Sequence, residues 1–159
     1  MQAKPIPHGY HSATPYLIVR DAPKAIEFYK AAFGATELFR LVDLEGRLVH
    51  AEIKIGDSPI MVVEEVGAWG NFSPQSPGGG TSARVHLLVD DVDVVAARAI
   101  AAGAKILIPV ADQFYGQRGG RLEDPFGHVW AIATHKEDLT ADEMQRRFEA
   151  FLKQIQKPG

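Results

Sequence analysis

The chain states one pattern twice, about 70 residues apart. Val19-Arg20-Asp21 precedes one alanine-rich helical stretch and Val89-Asp90-Asp91 precedes another; the two stretches close on Gly34-Ala35 and Gly103-Ala104. Each copy then passes into strand-like segments around a sharp turn, Ile55-Gly56-Asp57-Ser58 in the first and Asp124-Pro125-Phe126-Gly127 in the second. Two copies of one such unit can face each other and enclose a cleft, the kind of concavity in which small molecules bind. What lines that cleft is then the functional question.

Periodicity gives the elements. In the first copy Tyr16 to Val19 reads as a strand, Asp21 as an N-cap, and Pro23 suits a first helical turn. Ala25, Ile26, Phe28, Tyr29, Ala32 and Phe33 recur at helical spacing, and Gly34 supplies the stop. Strands follow over 36–43, 47–55 and 59–64, with Glu45-Gly46 as a turn. The second copy repeats this order: strand 84–89, helix 91–102, and strands 105–110, 118–123 and 128–134. The expected organisation is an N-terminal arm (1–11), a βαβββ module (12–65), a linker (66–82), a second βαβββ module (83–136) and a C-terminal amphipathic helix (137–159). That helix opens on a capping box, Thr140-Ala141-Asp142-Glu143, and carries the apolar stripe Met144, Phe148, Phe151, Leu152 and Ile155. The stripe must bury against its own domain or a partner subunit, so a homodimer is expected. Gly78-Gly79-Gly80 in the linker lacks the strand, Lys-Ser/Thr and helix of a phosphate loop. Trp69 and Phe72, in the same linker, are placed either over the cleft or on the domain surface.

Composition narrows the function classes. A formal charge of −3 and a pI near 6.1 give no bulk attraction to nucleic acid or to an anionic membrane. With no cysteine, neither a thiolate nucleophile nor a cysteine-ligated metal is available, which suits a reducing cytosol. No apolar run stands behind the N-terminus or reaches the length of a membrane span. The expectation is a cytoplasmic protein that handles a small molecule.

The paired modules, the Val-x-Asp before each helix, the Gly-Ala after it, and Asp124-Pro125-Phe126-Gly127-His128 before the last strand resemble the vicinal oxygen chelate superfamily. That superfamily includes glyoxalase I, extradiol dioxygenases, fosfomycin-resistance enzymes and bleomycin-resistance binding proteins. Val49-His50-Ala51-Glu52, the run from Asp112 to Arg118, and Trp130 to His135 are similar to its PhnB-like subgroup. The resemblance covers residues 12 to 136 and implies an α+β fold in which two βαβββ modules form a cupped mixed sheet around a cleft. Metal-dependent members bind one divalent ion (Zn, Ni or Mn) through four residues on the inner sheet face. By the family's offsets those positions fall here on Thr14, Met61, Arg84 and Ala131, none of them a His or a carboxylate. A divalent ion needs several converging N or O ligands, and an arginine beside it opposes binding. The resemblance therefore implies a protein without the shared metal site.

Strand alternation picks out the residues that share the inner face. His50, Glu52 and Lys54 alternate with the apolar Val49, Ala51, Ile53 and Ile55, and His86 shares a face with Arg84. The candidate ligand-binding set is Tyr16, His50, Glu52, Met61, Arg84, His86, Phe114 and Arg118. Arg118 enters it because an arginine beside Phe114 and Tyr115 can hold a carboxylate or stack on a planar group. Trp130 is placed toward the helices. Two functions fit this set. One is metal-free binding of a planar or aromatic small molecule, for sequestration or carriage. The other is a metal-dependent lyase, isomerase or dioxygenase with a site rebuilt from His50, Glu52 and His86. A metal-free enzyme using Glu52 or His50 as base beside Arg84 is a variant of the second.

Overall fold

Helix capping fixes where each module begins, and it does so the same way twice. In the computed structural model, which describes residues 3–156, Asp21 accepts a hydrogen bond from the Lys24 amide and Asp91 from the Val94 amide. These are the N-caps of α1 (Ala22–Phe33) and α2 (Val92–Ala101). The next orphan amides are taken by the end of a neighbouring strand. Glu64 accepts from the Asp21 and Ala22 amides, and Thr134, 70 residues later, accepts from the Val92 amide. The Val-x-Asp repeat is thus a device that ties each helix start to its sheet.

The strands are β1 (Tyr16–Val19), β2 (Thr36–Val42), β3 (Leu48–Ile55) and β4 (Ser58–Glu64) in the first module. The second has β5 (Arg84–Leu88), β6 (Lys105–Asp112), β7 (Gln117–Glu123) and β8 (Val129–His135), and α3 (Ala141–Ile155) follows. They form two four-stranded mixed sheets of identical topology, β1-β4-β3-β2 and β5-β8-β7-β6. In each, the strand before the helix pairs parallel with the last strand, because the helical crossover returns the chain in the same direction.

One face of each sheet is apolar and covered by helix. Leu17, Val19, Ala51, Ile53, Ile60 and Val62 are buried in the first module, and Leu122, Trp130 and Ile132 in the second. These two sets merge into a single core, because α1 packs on α2 and Trp130 lies 4.6 Å from Phe33 and 5.4 Å from Tyr29, ring to ring. Asp124 closes that junction, accepting from Tyr29 Oη at 2.6 Å, Trp130 Nε1 at 3.0 Å and the Phe126 and His128 amides. Within one chain the modules therefore meet through their helix sides instead of face to face. The opposite sheet faces stay open, with Tyr16, Phe39, Leu41, Leu88 and Ile108 all exposed. No described helix is long and apolar enough to cross a membrane.

The turn that carries Asp124 has one residue that only glycine fills without strain. Gly127 has φ +89°, and a Cβ there would lie 2.8 Å from Pro74 Cβ. Gly127→Ala is expected to cost about 1–3 kcal/mol, readable as a lower urea midpoint.

The linker is held by charge. Glu65 accepts from the Ser73 amide (2.8 Å), Ser76 Oγ (2.6 Å) and Arg20 Nε (3.0 Å), and these bonds, Ser73's first, hold its carboxyl at about 2. A carboxyl depressed in this way stabilises the fold above its ordinary value of 4.5, and that contribution disappears as pH falls toward about 2. The protection factor of the Ser73 amide, its exchange corrected for the intrinsic rate at each pH, is expected to fall across that window, and Glu65→Gln to remove the dependence. Trp69 and Phe72 stay exposed on this segment.

The terminal helix corrects one expectation. Thr140 Oγ1 accepts from the Glu143 amide, but the Glu143 carboxylate turns to Arg146 and Arg147, so only half the capping box forms. Two charge-assisted bonds outcompete the return contact to the cap backbone. Phe148 and Phe151 pack on Phe114, yet no residue of α3 is buried.

Candidate ligand site

Register decides which side chains meet on the open face of the first module. Tyr16 pairs with Met61, Met61 with Glu52, and Glu52 with Phe39, which makes one row across all four strands. Ile18, Val63, His50 and Leu41 make the next row. The first row spans about 14 Å, three strand spacings, with an aromatic ring at each end. His50 bridges the rows: its ring lies 6.2 Å from Tyr16 and 6.0 Å from Phe39. Tyr16, His50, Glu52 and Met61 thus come together as alternation placed them.

Glu52 is the unusual member. It is 7% exposed, its Oε1 lies 3.4 Å from His50 Nε2, and its Oε2 is buried with no hydrogen-bond partner among the described residues. Burial pushes its carboxyl up from the ordinary value. A buried carboxylate oxygen without a partner costs free energy in the unliganded protein, and a ligand donor that reaches it relieves that cost. Glu52→Gln is therefore expected to raise the melting temperature at neutral pH. The raised carboxyl penalises folding only while it is ionised, so the gain over wild type should fade as pH falls toward 4.5 and be gone below it.

The second module presents a different face. His86, Ala131, Arg121 and Ile108 form one row, and Arg84, Val129, Glu123 and Lys105 the adjacent one. Where the edges of β1 and β5 approach each other, Tyr16, Arg84, His86 and His128 line a cavity of about 450 Å³. His128 also binds the Ile18 carbonyl through Nε2 at 2.8 Å. Six of the eight candidate residues thus lie on the open faces or in this cavity between them. A larger concavity of about 810 Å³ involves Asp21, Arg40, Arg47, Glu64, Glu65 and Trp69, but every charged group there already has a protein partner.

Two candidates stand elsewhere. Arg118 pairs with Thr134 and Asp112, whose side is that of α2, and its guanidinium holds Asp93 of that helix at 2.8 and 3.0 Å. It is a brace for α2, and its placement at a ligand entrance is corrected. Phe114 sits on the β6–β7 turn with its ring stacked 5.2 Å from Phe151 of α3. Helix docking occupies it, which the loop sequence did not disclose. Arg118→Ala is expected to lower thermal stability and leave ligand affinity unchanged, a separation that paired melting and binding curves would read.

Two residues of these faces were not anticipated. Phe39 reaches the Glu52 row only because a bulge between Glu37 and Phe39 shifts the register. Arg121, three residues beyond Arg118 and so on the other side of β7, could have been found by carrying strict alternation back from Ala131.

The donor set does not fit the family's divalent ion. At the corresponding positions stand Thr14, Met61, Arg84 and Ala131, and no three His, Asp or Glu side chains converge among the described residues. His50 and Glu52 are neighbours, whereas His86 belongs to the other module.

Residues 10–132 match the family model described as Glyoxalase/Bleomycin resistance protein/Dioxygenase superfamily. The chain is 38% identical over 134 residues to the uncharacterized protein Rv0887c of Mycobacterium tuberculosis, covering 83% of this chain and 79% of that one. Among solved structures, TioX from Micromonospora sp. ML1 is 28% identical with a TM-score of 0.62, covering 82% of this chain and 100% of the other. The fosfomycin resistance protein FosX from Listeria monocytogenes, complexed with Mn(II) and sulfate, shares the fold at 20% identity and a TM-score of 0.61 over 87% and 97% of the two chains. So does a PhnB protein from Bacillus cereus, at 19% identity and a TM-score of 0.60 over 78% and 99%.

Proposed function

This chain belongs to the glyoxalase/bleomycin resistance protein/dioxygenase superfamily, and from that premise we propose that it binds a small planar or aromatic molecule without a metal ion. It acts by sequestering or carrying that molecule in the cytoplasm. The observation that carries this reading is the row Tyr16–Met61–Glu52–Phe39, two rings flanking a thioether and a buried carboxylate oxygen that lacks a partner among the described residues. Apolar burial between the rings supplies affinity, and a ligand N–H or O–H directed at Glu52 supplies orientation. Because Oε2 is covered in the free protein, binding requires a side chain of the open face to move aside.

The functional unit in this reading is a homodimer. Open faces bearing Tyr16, Phe39, Leu41, Leu88 and Ile108 are more apolar than a free surface favours, and a second copy laid against them would close the site.

Thermal shift and calorimetric titration with a panel of planar aromatics, run beside elemental analysis of the purified protein, test the proposal. Saturable binding with substoichiometric metal is the expected result. Stoichiometric Zn, Ni or Mn would instead overturn it and favour a lyase, isomerase or dioxygenase built on His50, Glu52 and His86.

A further inference from the structure

The nine arginines of the chain divide unevenly between paired and unpaired. Arg20, Arg40, Arg47, Arg118, Arg146 and Arg147 each hold a carboxylate. Arg84, Arg98 and Arg121 have no ion-pair or hydrogen-bond partner among the described residues. Two of these three, Arg84 and Arg121, stand on the open face of the second module, together with His86. Arg121 is half-buried on a middle strand, and its unpaired guanidinium remains open to solvent and so free to meet a ligand. Glu123, two residues along β7 and on the same face, is more than 4 Å from it, since the two form no salt bridge.

Between His86 and Arg121 in the same row lies Ala131. The Ala131 methyl group is the only side chain between the His86 and Arg121 backbones in this row, which stand two strand spacings, roughly 10 Å, apart. Gly119, the next small residue on this face, has no room for a side chain: a Cβ would lie 2.8 Å from the Ile132 carbonyl oxygen and 3.0 Å from Ala133 Cβ. Cationic and donor groups thus flank a small apolar floor.

We propose that this face binds an oxyanion, a carboxylate or phosphate group carried by the ligand, with Arg121 as its bidentate partner and His86 and Arg84 as flanking donors. The inference rests on the reading of the chain as a metal-free binder and names the ligand class: a planar aromatic acid. A guanidinium fork matches the two oxygens of either group, and the low-polarity floor strengthens the pairing relative to open water.

The probes are 2-naphthoate, its neutral counterpart 2-naphthalenemethanol, and inorganic phosphate, titrated into the full chain by calorimetry. The Arg121 Nε–H resonance is followed in parallel by NMR. The naphthoate is expected to bind at least about tenfold more tightly than the alcohol, the factor a charge-assisted hydrogen bond carries, and to shift the Arg121 signal. Arg121→Gln should abolish that preference, Arg121→Lys should restore part of it, and both should melt near the wild-type temperature. Added salt should weaken the acid and not the alcohol. A shift with phosphate alone would identify a phosphate source, and a shift confined to the naphthoate a carboxylate source; either supports an oxyanion site. Equal affinity for acid and alcohol, unchanged in Arg121→Gln, would overturn the oxyanion inference and leave the aromatic-binding reading standing. If none of the three probes binds, both fall.

Discussion

Asp124→Ala is expected to destabilise the protein by about 3–5 kcal/mol, the largest effect of any single polar substitution in the described chain. The carboxylate is buried, carries four hydrogen bonds and joins the two modules: Tyr29 comes from α1 of the first, Trp130 and two turn amides from the second. Alanine leaves all four donors without an acceptor, three of them buried. The Tyr29 hydroxyl is a sensitive reporter, because burial first and the Asp124 charge second push it well above its ordinary value. It stays a donor at every working pH. Tyr29→Phe removes only one of the four bonds and is expected to cost about 1–2 kcal/mol. Urea unfolding by circular dichroism would read both. A loss below about 1 kcal/mol for Asp124→Ala would mean the modules are held by apolar packing alone.

Trp130→Ala is expected to cost about 3–5 kcal/mol by cavity formation. The indole is fully buried between Phe33 and Tyr29, so its removal leaves a hole lined by residues of both modules, and the walls are too rigidly tied to sheets and helices to collapse into it. Because Trp130 Nε1 also donates to Asp124, the two substitutions act on one network. The double variant should lose less than the sum of the singles, with a coupling of about 0.5–3 kcal/mol in a double-mutant cycle. Strict additivity would show that the ring and the carboxylate contribute independently.

Both sites show how unevenly the fold was written into the chain. The helix caps were legible, because Asp21, Asp91 and Gly34 act within a few residues of themselves. So was the side on which Trp130 lies, since alternation within one strand is local. The role of Asp124 was not legible: the sequence shows a turn residue before Pro125, and its partner Tyr29 lies 95 positions away. The candidate site divides along the same line. His50, Glu52, Met61 and Tyr16 were found because β3, β4 and β1 pair without interruption. Phe39 is not legible because β2 is bulged, and Arg118 stands out in the sequence because its neighbours Phe114 and Tyr115 suggest a ligand entrance that α3 and Asp93 occupy instead.

The sequence by itself determined the duplicated βαβββ order, the helix boundaries and the alternation of polar and apolar residues, because these rest on interactions between near neighbours along the chain. It also determined the superfamily, through motifs with fixed offsets. Only the tertiary structure decided that the modules join by their helix sides, and that, among the described residues, Glu52 is buried with an oxygen unpaired and Arg121 stands unpaired on the open face. Each of those depends on register between strands and on packing between residues far apart in sequence. A single bulge or one competing ion pair changes the outcome there without altering any local pattern.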